Sequence, residues 1–391
     1  MNLLFYLAIM LFAGLLFGRL LKLVKLPNVT GYLIAGLVLG PFVTKILTAE
    51  QVESLSVISN MALSFIAFTV GLSFKRSYFK RVGMTPVVIA LLEALVAVFL
   101  VQGALIAAGF DVAFSIVLGA IAAATAPAAT IMVIKQYGAK GPVTDTLMAV
   151  VAIDDAVALV AFGFAVSIAG VISGNGGGNI FLSILQPLWQ VFLSLLIGAV
   201  MGVLFKIPLR FFKKSGNRLI IIIGFVFMTS ALATLCGVSE LLACMALGSV
   251  FCNISTESDS INDLCDFFTP PLFELFFVVS GAGLDVSVLP QIGVMGAIYV
   301  VVRCVGKYLG AFIGAKIMKA PDAVAKYIGP TLIPQAGVAI GLTIVAQSVV
   351  PHYAAQVRAV ILCGTLIYEL VGPAITKITL KKAGEIQSSE G

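Results

Sequence analysis

Two adjacent aspartates, Asp154 and Asp155, stand in the middle of the apolar run 144–171, whose only other charged residue is Asp145 at its start. Counted from Thr144 at 1.5 Å per residue, they lie about 15 Å along a helix. An aspartate at the centre of a bilayer costs about 2.5–3.5 kcal/mol to insert, and helix packing alone gives no reason for two. Neighbouring side chains on a helix diverge by about 100°. One carboxylate can therefore face a water-filled cavity while the other meets a neighbouring helix. Desolvation favours the protonated form of such a group, and a nearby cation favours the ionised form. A carboxylate under both influences suits alternate binding of a proton and a metal cation. Both ions compete for the same oxygens, so competition alone couples them.

Two cations are available to balance the acids. Arg303 and Lys307 are spaced i, i+4 and share one helix face, about 20 Å and about 14 Å from the helix end near Lys316. Lys307 can snorkel toward headgroups, whereas the Arg303 guanidinium is too deep. At least one should pair with Asp154. Pro127 interrupts the run 112–134, and Pro334 with Gly337 interrupts 327–349. Freed backbone groups are tolerated in lipid only beside protein or a water-filled cavity. Opposed half-helices present positive N-terminal and negative C-terminal ends that can compensate buried charge. Thr125, Thr130 and Gln335 can add oxygens near the ion. Glu93 and Glu274 also lie in apolar runs, each either a second protonatable site or the partner of a neighbour. Glu240 and Asp285 fall at run ends and are expected to be solvated.

The elements that must position these groups follow from composition. Of 391 residues, 60% are hydrophobic and 11% charged, against about 25% charged in soluble domains. Thirteen apolar windows emerge, at 3–21, 29–47, 55–74, 85–109, 112–134, 144–171, 180–205, 218–236, 240–253, 267–284, 289–315, 327–349 and 357–377. A spanning helix needs about 20 apolar residues, so the expected fold is an all-α polytopic membrane protein with 13 transmembrane helices. Lys and Arg near span ends favour the cytoplasmic side. With the N-terminus outside, all 24 basic residues fall in inside loops except Lys45, Arg358, Arg303 and Lys307. The net charge of +6 is thus topological, and nucleic acid is not an expected partner. The six cysteines form no CxxC pair, and the single histidine, His352, excludes a His-rich metal site.

A weak internal repeat is visible. The run Gly31–Gly40 resembles Leu241–Gly248, Phe65–Leu72 resembles Phe276–Leu284, and Thr125–Thr130 falls opposite Ile333–Val338. The common offset equals seven spans, and an odd number inverts the second copy. The chain divides into a first inverted repeat (1–171), a linker span with a Gly-rich loop (172–217), a second repeat (218–380) and a short cytoplasmic tail (381–391). Inverted repeats with broken helices at matching positions point to a secondary transporter with its site at mid-membrane.

Together these features resemble the cation:proton antiporter superfamily, the bacterial sodium/proton exchangers of the NapA and NhaA type. The matching residues are Pro27, Gly31-Tyr-Leu, Gly36, Leu39-Gly-Pro41, Val70-Gly-Leu72, Thr125-Ala-Pro-Ala-Ala-Thr130, Asp154-Asp155, Arg303, Gly306-Lys307 and Pro334-Gln-Ala-Gly337. The resemblance implies an NhaA-like fold with two crossed discontinuous helices, elevator-like alternating access, and a homodimer in the cell (inner or plasma) membrane. It implies that Asp155 is the obligatory ion- and proton-binding carboxylate, with Asp154 paired to the basic residue and both facing Na+. The family pattern has one basic residue in this span where this chain has two, and local spacing favours Arg303. Paired aspartates imply electrogenic exchange, with two protons per cation. The expected activity is exchange of Na+, or Li+, for H+ in pH homeostasis, without a cofactor. K+/H+ exchange uses the same oxygens and stays open, and a Na+-coupled organic-anion symporter is a more distant alternative. An intramembrane aspartyl protease is excluded, because its two carboxyls must face each other across a water.

Overall fold

The computed structural model describes residues 3–24, 26–72, 74–76, 83–172, 180–284 and 293–386. Lys25, Lys80, Arg81, the Gly-rich stretch 173–179, Asp285 and the tail end 387–391 lie outside the described residues. Among the described residues every regular element is helical. The chain forms α1 (Leu3–Leu23), α2 (Asn28–Leu39), α3 (Ala49–Ser54), α4 (Ser56–Leu72), α5 (Thr85–Ala107), α6 (Val112–Ile121) and α7 (Pro127–Tyr137). It continues with α8 (Pro142–Ile172), α9 (Ile180–Phe211), α10 (Ser215–Leu235), α11 (Glu240–Ile254), α12 (Ser258–Phe268) and α13 (Pro270–Ala282). Last come α14 (Gly293–Ile317), α15 (Asp322–Thr331), α16 (Gly337–Val349), a 3-10 turn at Pro351–Tyr353, and α17 (Ala354–Lys382).

This is an all-helical polytopic membrane protein. Among the described residues, eight helices are long and apolar enough to cross a bilayer, or nine if the pair α12–α13, bent by 53°, is one span. Every apolar window of the sequence meets a helix or a helix pair, but several, such as α2 and α11, are only 12 and 15 residues long. They fall short of the roughly 20 residues that span a core unaided. Large apolar side chains such as Phe12, Trp189 and Ile220 stay exposed on outward faces, as a lipid solvent allows.

Small residues set the closest helix approaches. On α14, Gly306, Gly310 and Gly314 lie one turn apart and leave no room for a Cβ against Ala97, Glu93 and Ile89 of α5. Small-residue stripes let membrane helices meet at backbone distance, and here the stripe brings Glu93 beside Lys307. Elsewhere Gly36 of α2 meets Val278 of α13, while Gly248 of α11 meets Phe68 of α4. The segments that resemble each other in sequence thus pack crosswise, α2 on α13 and α4 on α11.

The charged loops gather at one end. Acids on the amphipathic α12 and its approach pair with basic residues at the ends of other elements: Asp259 with Lys75 beyond α4 at 2.7 Å, Asp266 with Lys135 in the last turn of α7 at 2.7 Å, and Glu257 with Arg218 in the first turn of α10 at 2.8 Å. The tail folds back to the same end. Buried Glu385 accepts from the Val143 and Thr144 amides at 2.6 and 2.7 Å, capping the start of α8. These acceptors satisfy donors that every helix start leaves unpaired.

Candidate ion-binding site

Two helices are broken, and their breaks meet. Between α6 and α7 the chain is non-helical over 122–126, and between α15 and α16 over 332–336. Pro127 opens α7, where a missing amide costs nothing, so the break precedes it. The amide of Ala126 donates to the Pro334 carbonyl at 2.8 Å, and the Thr130 hydroxyl to Thr331 O at 3.2 Å. Gln335 donates to Ile121 O at 2.9 Å and exchanges hydrogen bonds with Tyr299. The side chains of Thr130 and Gln335 therefore tie the two breaks together.

Such a crossing leaves helix-end carbonyls without amide partners inside the protein, and α14 supplies the donors. The Arg303 guanidinium donates to Ala122 O at 3.0 Å, Ala124 O at 2.7 Å and Ile333 O at 2.7 Å. Its face lies 4.6 Å from the Tyr368 ring centroid. One turn on, the Lys307 ammonium donates to Ala123 O and, at 2.8 Å, to the Thr125 hydroxyl. Two cations thus cover the negative end of α6, where unpaired carbonyls concentrate partial charge.

Only Lys307 also meets carboxylates. Its ammonium lies 2.6 Å from Glu93 Oε2 and 3.5 Å from Asp154 Oδ2. The basic partner of Asp154 is therefore Lys307, not Arg303 as local spacing favoured. The reason is geometric: the planar fork of Arg303 fits three divergent carbonyls, which engage all three of its nitrogens. Glu93, open in the sequence between two roles, sits against Lys307. Asp154 is 1% exposed and Asp155 7%, and Asp155 Oδ1 has no hydrogen-bond partner. Three carboxyls thus stand near a single ammonium, which among the described residues forms ion pairs with two of them.

Glu274 is not part of this cluster. It is buried on α13 against α1, where a Cβ at Gly14 would collide with its carboxylate. Glu240, expected in solvent, is half-buried and accepts from the Ser230 and Thr234 hydroxyls at 2.5 and 2.6 Å. Tyr299 and Tyr368, which hold Gln335 and Arg303, carry no chemical signature in sequence. Glu369, buried on α17, was legible as an acid in an apolar run and is missing from the sequence reading.

Residues 7–382 match the family model described as sodium/hydrogen exchanger, transmembrane. A Na(+)/H(+) antiporter of Enterococcus hirae is 25% identical over 364 residues, spanning 90% of this chain and 92% of its own length. The Na(+)/H(+) antiporter NhaS4 of Synechocystis sp. is 24% identical over 348 residues, 81% of each chain. The sodium proton antiporter MjNhaP1 of Methanocaldococcus jannaschii superposes with a TM-score of 0.76 at 19% identity, over 97% of this chain and 98% of that one. At that identity the likeness speaks for the fold.

Proposed function

This chain belongs to the transmembrane sodium/hydrogen exchanger family, a family of transporters rather than enzymes, and on that premise we propose that it exchanges Na+ for H+ at Asp155. One observation carries the reading: among the described residues Glu93 and Asp154 form ion pairs with Lys307 and Asp155 forms none, although Asp155 Oδ1 is as buried and as short of hydrogen-bond partners as the oxygens beside it. A buried, unpaired carboxylate is too costly to persist. A proton neutralises it in one state, and a dehydrated alkali cation in the other. At 7% exposure, Asp155 is the better placed of the two aspartates to meet water, and Asp154 keeps Lys307 in register. Na+ is favoured by the named relatives, while K+ uses the same oxygen ligands and is the second reading.

The finer parts of the reading rest on the same frame. Thirteen spans are reached by adding the short helices and the two broken pairs to the long ones. The crosswise packing of α2 on α13 and α4 on α11 supports two inverted repeats, 1–171 and 218–380, around a linker at 172–217. The broken helices, with α5, α8, α14 and α17, form the part that carries the ion in an elevator-like movement. A homodimer, a plasma-membrane address, and an outside N-terminus with a cytoplasmic C-terminus complete the proposal. Two protons per cation make the cycle electrogenic, one of them carried by Asp155. The test is purified protein in proteoliposomes with an imposed ΔpH. Adding Na+ should collapse the gradient, Li+ and K+ ranking selectivity. No response to any alkali cation between pH 6 and 9 would sink the reading.

A further inference from the structure

A second buried carboxylate site lies on α17, outside the Asp155 cluster. Glu369 is 4% exposed, and its Oε1 has no hydrogen-bond partner. It does not stand alone. The hydroxyls of Thr365 and Thr376 are also buried and unpartnered. Helical threonines in this chain ordinarily turn the hydroxyl back to the carbonyl four residues earlier, as Thr229 does to Phe225 at 2.7 Å, Thr269 to Cys265 at 2.8 Å and Thr343 to Ala339 at 2.8 Å. Thr365 and Thr376 forgo that bond.

The direction of this face is fixed by Gly372, whose missing Cβ makes room for the Pro334 ring. Residues 365, 369 and 376 are placed seven before, three before and four after Gly372, which puts all of them on its helix face. The polar stripe therefore looks toward the second break, as Asp154 looks toward the first through Lys307. Depth matches as well: Asp155 from Pro142, and Glu369 from Lys382, each stand about 20 Å from the charged end of their helix at 1.5 Å per residue.

Among the described residues no cation forms an ion pair with Glu369. Five of the elements packed on α17 carry ionisable groups, and each of the cations among them is engaged elsewhere. On α14, Arg303 and Lys307 are held by the α6 carbonyls and by Glu93 and Asp154, and Tyr299 by Gln335. On α7, Lys135 pairs with Asp266, and Tyr137 lies under Lys377. Tyr32 of α2 packs toward Gly18. Lys326 of α15 sits over Tyr327, and His352 lies in the exposed 3-10 turn. On α16 there is no ionisable residue.

Resting on the exchanger reading, we infer that Glu369, with Thr365 and Thr376, is a second proton-binding site of the exchange cycle, on the opposite side of the crossing from Asp155. Glu369 takes a proton from water on one side of the membrane and returns it to water on the other. The flanking hydroxyls hold the water that delivers it. A neutral acid suits this dry face, and only a carboxyl can alternate.

The experiment uses full-length protein in proteoliposomes, with Na+-dependent collapse of ΔpH scanned across pH 6–9. Wild type must exchange and Asp155→Asn must not; failure of these two condemns the exchanger reading and not this one. Glu369→Gln, locked in the form of the protonated acid, should assemble normally yet lose about 10-fold or more in rate, as loss of a proton-transfer group does, and flatten the pH profile. Glu369→Asp should restore both. A folded Glu369→Gln protein with the wild-type profile, or with a uniformly lower rate and unchanged pH dependence, overturns the inference. If that variant does not assemble, Thr365→Val and Thr376→Val read the same profile. A shifted profile supports the site, and an unshifted one rejects it.

Discussion

Two consecutive turns of α14 carry a buried cation each, and they do different work. The Arg303 turn is committed: three carbonyls engage the three guanidinium nitrogens, an aromatic ring covers its face, and among the described residues no carboxylate pairs with it. The Lys307 turn is divided between a carbonyl, a hydroxyl and two carboxylates. The first arrangement is fixed by geometry and has nothing to exchange. The second holds a compact charge among more acids than it can balance, so its occupancy can change. Two basic residues one turn apart, alike in sequence, separate into a scaffold and a working part.

The comparison breaks most visibly at the scaffold. Arg303→Leu orphans three buried carbonyls at about 1–3 kcal/mol each, so little folded protein should survive extraction. Arg303→Lys should not rescue it, because an ammonium lacks the planar fork. Thermal unfolding read by size-exclusion chromatography checks both, and a wild-type melting profile for either would remove the distinction. At the working turn, Lys307→Ala leaves Glu93 and Asp154 facing each other, at a cost of about 3–5 kcal/mol. Glu93→Gln in the same protein should return about 1–3 kcal/mol of that loss as coupling between neighbours. Additive effects would mean that the two groups do not interact.

The end of the same helix supplies the control. Lys316 pairs with exposed Asp322 at 2.6 Å, and this hydrogen bond and charge hold the Asp322 carboxyl below the usual range. A depressed folded-state pKa gives stability that is present above the ordinary carboxylate value and lost as pH falls through the lowered one. Because the pair is in water, Asp322→Asn should leave melting near neutral pH unchanged. A marked loss there would show that exposed charges on α14 matter as much as buried ones.

Much of this was legible in the chain. Apolar windows located the long helices, because hydrophobic length is the main constraint a bilayer imposes, while the short α3 and the amphipathic α12 fell almost wholly outside them. Asp154 and Asp155 stood out because an acid in an apolar run is costly. The partner of Asp154 was not legible, since i, i+4 spacing puts Arg303 and Lys307 on one face without saying which carbonyls await them. Those carbonyls belong to Ala122, Ala123, Ala124 and Ile333, backbone groups that no side chain announces. Glu385 as the cap of α8 was hidden for a related reason: the contact joins positions 241 and 242 residues apart, and nothing local in a polar tail announces it. The small-residue stripe Gly306–Gly310–Gly314 was readable but went unused, although it places Glu93.

The most direct test of the account is a side-by-side ΔpH assay of wild type, Asp155→Asn and Asp154→Asn in proteoliposomes of equal protein content. Asp155→Asn should be folded and silent with every alkali cation, while Asp154→Asn should still exchange, with altered charge movement or pH dependence. Na+-driven proton movement by Asp155→Asn at the wild-type rate would contradict the central claim that both ions take turns on that carboxylate.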